Sequence, residues 1–157
     1  MLANLKELMA YKGRNVLLFD SWSPWVEVLT ARSVRNSTRG LYLAANGGHN
    51  AESHNHNDVG SFIVYADGYP LFIDPGVGTY RKETFNNATR SQIWSMQSGY
   101  HNLPIINGVE QRYGKTFRAK AVKADVRDKK VDFCIDIAGV YPVVGGALSW
   151  ISKSALV

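Results

Sequence analysis

The sequence holds a single cysteine, Cys134, among 157 residues. A lone thiol closes no intramolecular disulfide, so cysteine usage does not decide the compartment. Cys134 sits inside an alternating apolar run and is expected to be a small buried side chain. Long hydrophobic runs are missing as well. None approaches a membrane span, and the opening LANLKELMAYKGR lacks the pattern of a signal peptide. There is no low-complexity tract, internal repeat or interdomain linker. A phosphate-binding glycine loop, a CxxC pair and a nucleophile elbow are also absent, which sets aside the chemistries those motifs carry.

What is present is an ordinary globular composition, 45% hydrophobic and 20% charged. A chain this long buries roughly 70% of its unfolded surface, enough for one domain with a real core. The net charge is +5. The excess is spread over Arg32, Arg35 and Arg39 and then over the lysines from Lys115 to Lys130. That spread suits acidic partners in general and equally describes a solvated basic face.

Helical spacing occurs once, at Leu2, Leu5, Leu8 and Met9, and Gly13 ends it. Short β-rich runs follow at 15–19, 26–31, 41–45, 61–66 and 71–74. A polar segment, 81–91, leads to further runs at 92–98, 103–106, 116–126, 131–140 and 147–151. The clearest is Val131–Ile137. Its odd positions (Val131, Phe133, Ile135, Ile137) are apolar and oppose Asp132, Cys134 and Asp136, as in a half-buried antiparallel strand. The charged turn Arg127–Lys130 predicts a hairpin with the run before it. Many short strands with one short N-terminal helix define an all-β, antiparallel β-sandwich. The last residues, SWISKSALV, still read as strand, so the chain is expected to be a fragment of a longer protein.

Chemistry concentrates between Gly47 and Tyr80. Three of the four histidines fall in GGHNAESHNHND, and the fourth, His101, lies in YHNLP. His54 and His56 are two apart, so in an extended backbone they point to one side. With Asp74 and His101 they offer a His/His/Asp donor set suited to zinc. The competing reading is that these histidines hydrogen-bond the loop backbone. Register constrains the metal reading. A two-residue turn at Asp67-Gly68 sets residue 61 opposite 74, whereas a three-residue loop, 66–68, with a bulge pairs 60 with 74. His56 then lies about 13 Å beyond along a straight strand, so a shared metal also needs the HNHND loop to curl back. His49, His54 and Tyr80 are candidates for moving protons. The four tryptophans, Trp22, Trp25, Trp94 and Trp150, are expected in the core rather than as sugar platforms.

Four ordered motifs carry a resemblance: GGHNAESHNHNDVGSF, DPGVGTY at 74–80, IWSMQSGYHNLPIINGVEQ at 93–111 and IAGVYP at 137–142. Together they resemble the C-terminal β-sandwich region of the heparinase II/III-like polysaccharide lyases. The resemblance implies residues 1–25 as an N-terminal helix and connection and 26–157 as the β-sandwich domain, without the α/α toroid that precedes it in full members. It implies β-elimination on uronic-acid-containing glycans, with His54 as the catalytic histidine of the β-domain. By the same resemblance His56, Asp74 and His101 hold Zn2+, and Tyr80, Arg90 and Gln97 face substrate. The implied partners are an acidic polysaccharide and the upstream toroid, not nucleic acid or a membrane, in a periplasmic or secreted full-length protein. Lacking the toroid's acid and base residues, the chain is expected to be inactive alone. The alternatives are a non-catalytic glycan-binding or structural β-sandwich module, and a zinc hydrolase.

Overall fold

The structure, a computed structural model, describes residues 17–86, 89–128, 130–142 and 151–156, the last of these as backbone only. The expected N-terminal helix at 2–11 and Trp150 lie outside the described residues. The described residues form ten strands: β1 Asp20–Ser23, β2 Val28–Arg32, β3 Leu41–Asn46, β4 His49–Asn50, β5 Phe62–Ala66, β6 Tyr69–Phe72, β7 Gly114–Arg118, β8 Lys120–Arg127, β9 Lys130–Asp136 and β10 Ile151–Leu156. They form a five-stranded sheet ordered β1-β2-β3-β5-β6, a three-stranded sheet β10-β9-β8 and a two-stranded pair β4-β7. All of these pairings are antiparallel. β1 falls within the stretch read from the sequence as connection, and it is one of the two edge strands of the larger sheet, with β6 the other.

The two larger sheets share one core. Leu29, Ala31 and Ala45 from β2 and β3 cluster with Val131, Phe133 and Ile135 from β9, and Val59, Ala119, Ile137, Val140 and Tyr141 complete the cluster. That is the apolar-in, polar-out alternation of a β-sandwich. On β9 the odd positions are buried as the sequence predicts, and Arg127 pairs Lys130 across the charged turn. Cys134, expected to be buried, takes the opposite face and is only half-buried, because the period of two sends it away from Phe133 and Ile135. Trp22 packs on the core against Phe133, with ring centroids 5.8 Å apart. Trp25 and Trp94, by contrast, are exposed rather than in the core.

Two local departures from regular pairing shape the molecule. The run expected as one strand over 116–126 breaks at buried Ala119 into β7 and β8. Left-handed Ala121 then absorbs an extra residue, so pairing jumps from Lys120↔Asp136 to Lys123↔Cys134. The bulge changes which side chains point inward: Ala119 lies in the core, and beyond the bulge Val122 and Ala124 pack against it. In the β5–β6 hairpin the turn is the two-residue Asp67-Gly68, with φ of 52° and 82°, the sign pattern of a tight I′ turn. The register shift lies within the strands, between Tyr65↔Pro70 and Val64↔Phe72. Even positions therefore face even positions beyond Val64, through a strand bulge instead of a three-residue loop.

Residues 82–100, part of which is expected as strand over 92–98, form four short 3-10 turns: Lys82–Phe85, Arg90–Gln92, Trp94–Met96 and Ser98–Tyr100. Their amides close onto carbonyls three residues back, for example Met96 onto Ile93 and Tyr100 onto Gln97. The backbone is satisfied locally and needs no strand partner. Residues 103–106 contribute only the isolated bridge Ile106↔Val109.

Candidate functional site

The site is built where the 48–61 loop leaves β4 and runs into β5. Gly60 has φ +88°, and a Cβ there would meet Ile137 at 3.0 Å, so this close turn over the core needs glycine. Fully buried Asn50 donates to Oε1 of Gln111 at 2.9 Å and to the Arg112 carbonyl at 3.0 Å. Gln111 in turn donates to the Val59 carbonyl at 2.8 Å, and its own amide donates to Ser98 Oγ at 2.9 Å. The Asn57 amide donates to the Met96 carbonyl. These bonds join three chain-distant pieces: the histidine loop, the 3-10 series and the segment before β7. A further tie comes from Asn102, which donates to the carbonyls of Phe62 at 2.7 Å and Ile73 at 3.1 Å. It thereby sets His101 beside Asp74.

His56, Asp74 and His101 converge. One ligand atom from each lies within 4.8 Å of the others, and both histidines are buried. The His56 and His101 rings are 5.2 Å apart. His101 Nδ1 and Asp74 Oδ2 share a hydrogen bond of 2.6 Å, while His101 Nε2 is buried without a partner. A buried nitrogen left unpaired costs free energy unless something fills the role. Two imidazoles and a carboxylate are the donors that suit zinc. Donors sharing a zinc ion stand about 3.2–3.5 Å apart, as bond lengths near 2.0–2.1 Å require. The 2.6 Å contact therefore fits Asp74 orienting His101 from behind, with Nε2 free toward an ion, or a pair that opens to admit one. The donor set and the unpaired nitrogen are compatible with a metal.

Burial lowers the His56 pKa, helped by the nearby His101 and Arg90 charges and opposed by Asp74. Burial pushes Asp74 up, but hydrogen bonds from His101 and from the Gly76 amide outweigh it and hold the carboxyl below its ordinary range. Asp58 is pushed up to about 6 by burial, with His101 opposing and the Asp74 carboxylate adding to the rise. Sequence reasoning gave no role to Asp58 or Gln111, although both lie inside the quoted motifs. No local signal marks either one: Gln111 stands between Glu110 and Arg112, and Asp58 between Asn57 and Val59.

His54 does not share a side with His56. Its φ is +58°, so the loop turns left-handed there and the extended geometry expected from the HxH spacing does not form. The side chain is exposed and lines a cavity of about 300 Å³ together with Glu52, Thr84, Phe85, Arg90 and Tyr113. Arg90 is buried, donates to the Asn55 carbonyl and has no carboxylate partner among the described residues. Tyr80 reaches this region indirectly, stacked on Phe85. Gln97 is not in the His54 cavity. It lines a neighbouring one of about 330 Å³ with Glu110, Gln111 and Arg112, and Tyr113 borders both. His49 joins neither group, since its Nδ1 accepts from the Ala51 amide within its own loop.

The fold is thus an antiparallel β-sandwich that carries a polar cavity lined by His54 and Arg90. The chain belongs to the heparinase II/III-like C-terminal family, whose model matches residues 34–138. Among solved structures it is similar to heparinase III, at 20% identity and a TM-score of 0.53, over 81% of this chain and 19% of that one. That likeness is one of fold, and the chain spans 19% of the length of that protein. No curated protein sequence matches the chain.

Proposed function

We propose that this chain is the β-domain of a polysaccharide lyase that cleaves uronic-acid-containing glycans by β-elimination, and that His54 is its contribution to the reacting centre. In such a reaction a base takes the proton from C5 of the uronate. That electron pair forms the C4=C5 double bond, and the C4–O glycosidic bond breaks as an acid protonates the departing oxygen. The observation that carries the reading is Arg90, a buried guanidinium without a carboxylate partner among the described residues, lining the same cavity as His54. A cation held there neutralises the substrate carboxylate, which makes the C5 proton easier to remove. The His54 ring makes no hydrogen bond among the described residues and is free to exchange a proton. Tyr80 and Gln97 are the further substrate-facing residues of this reading.

His56, Asp74 and His101 would form the zinc site, the two histidines through ring nitrogens and Asp74 from behind His101. When bound, the ion supplies a fixed positive tie between the histidine loop and the sheet, which orients His54. The lyase β-domain takes in β1, Asp20–Ser23, ahead of the boundary expected at residue 26, and an upstream α/α toroid provides the remaining acid and base groups. The full-length protein acts in the periplasm or outside the cell. The chain alone folds and binds zinc without turnover. The test is paired. In the toroid-containing protein, His54→Ala should lower the release of unsaturated uronides by about 10²–10⁴-fold, the usual worth of a proton-transfer group. The 157-residue chain by itself should release none. Wild-type turnover by His54→Ala, or release by the isolated chain, would overturn the respective half.

A further inference from the structure

We propose that Phe85, backed by Tyr80, is a sugar-stacking residue that holds an acidic pyranose beside His54 with its carboxylate toward Arg90. The inference rests on the acidic-glycan reading above and adds a specificity-determining residue to it.

Phe85 sits in the polar segment Arg81–Ser91 yet is 62% exposed. Its ring stacks on that of Tyr80, itself 56% exposed, with centroids 5.6 Å apart and planes 19° apart. It also meets the His54 ring edge to face at 6.0 Å. A continuous aromatic surface thus runs from Tyr80 through Phe85 to His54. Phe85 lines the cavity of about 300 Å³ that also holds Arg90 and Tyr113. That volume is at the small end of ligand sites, which run about 300–1,000 Å³.

The occupant follows from the chemistry of the walls. An exposed aromatic face wants apolar contact, and the C–H face of a pyranose supplies it while leaving the hydroxyls at the ring edge for polar partners. Glu52 also lines the cavity but accepts from the His49 amide, and Arg90 has no carboxylate partner among the described residues, so Arg90 is the group that selects a sugar bearing a carboxylate. Stacking on Phe85 fixes the plane of the sugar, and the Arg90 contact fixes its rotation within that plane. Together they bring the ring carbons beside His54.

The experiment titrates the 15N-labelled 157-residue chain with tetrasaccharides from alginate, heparan sulfate, hyaluronan and polygalacturonate, using neutral cellotetraose as a control. At least one acidic tetrasaccharide should bind, shifting amides near His54, Phe85 and Arg90, and cellotetraose should not. Phe85→Ala and Phe85→Leu should each weaken that binding tenfold or more, and Phe85→Trp should retain it. Because Phe85 is exposed, all three variants should unfold at the wild-type temperature. Wild-type binding that Phe85→Ala leaves unchanged overturns the stacking role while the glycan reading stands, and points to Phe85 as a surface covered by another domain. Failure of every acidic tetrasaccharide to bind the wild-type chain overturns both.

Discussion

Asp74 grips one nitrogen of the His101 ring at 2.6 Å and leaves the other nitrogen of that ring buried and unpaired. A carboxylate bonded to the back of an imidazole fixes its tautomer and raises its basicity toward an ion at the front. Purified chain should therefore retain zinc through dialysis. Asp74→Asn should weaken zinc affinity by about 10–100-fold or more, and His101→Ala or His56→Ala should abolish retention. Competition with a chromophoric chelator measures each step. Unchanged zinc content in His56→Ala would remove the metal reading.

Asp58 predicts how the metal-free protein responds to pH. Its folded-state pKa is raised to about 6, so the folded state holds this proton more tightly than the unfolded chain does. That stability is complete below the unfolded value near 4 and is lost as pH rises through 6. With chelator present, Asp58→Asn should stabilise the protein at pH 7 by about 1–2 kcal/mol and do little at pH 4, as urea unfolding at the two pH values would show. His56 acts in the opposite sense. Its pKa is lowered, so its contribution falls as pH drops below about 6.5, where the unfolded chain gains a proton that the folded state resists. Zinc retention should fail over the same acid range, because protons compete for the imidazoles.

His54 carries backbone strain at φ +58°. A left-handed conformation costs an L-residue about 1–2 kcal/mol relative to glycine. His54→Gly should therefore raise stability by about 0.5–1 kcal/mol, while His54→Ala leaves it level or lower. Thermal unfolding of the two variants separates them. In the toroid-containing protein both should lose lyase activity alike, which would set stability against function at a single position.

Gln111 is 4% exposed and satisfies both Asn50 and the Val59 carbonyl. Gln111→Ala leaves the buried Val59 carbonyl without its donor and Asn50 with the Arg112 carbonyl alone, a cost of about 1–3 kcal/mol. Chemical denaturation should show a loss of that order. Zinc affinity should fall as well, although Gln111 is outside the donor set, because the loop bearing His56 loses its anchor.

The β9 side of the sandwich is legible in the sequence because strict alternation from Val131 to Ile137 and the charged Arg127–Lys130 turn both depend on neighbours in the chain. The Ala121 bulge is not, since alanine carries no mark of a left-handed φ. The 3-10 turns from Lys82 to Tyr100 are hidden for another reason. Met96 is their one buried hydrophobe, and the other buried side chains (Thr84, Arg90, Ser95 and Ser98) are polar, so no apolar period announces them. At the site, the proximity of His56 to Asp74 and His101 depends on Asn102 and Gln111 bridging distant segments. The HxH spacing misled about His54 because spacing predicts a shared side only if the backbone stays extended.

The bulge at Ala121 also bears on how the molecule behaves in company. β8 is an outer strand of its sheet, with one side facing no strand among the described residues. An open row of amides and carbonyls invites pairing with a second chain. Here the ladder is broken at Ala121, and Lys120 and Lys123 stand exposed on either side of the break. A strand approaching this edge would meet a mismatched hydrogen-bond pattern and two ammonium groups. The kink that reorders the core-facing side chains thus also guards the molecule against aggregation.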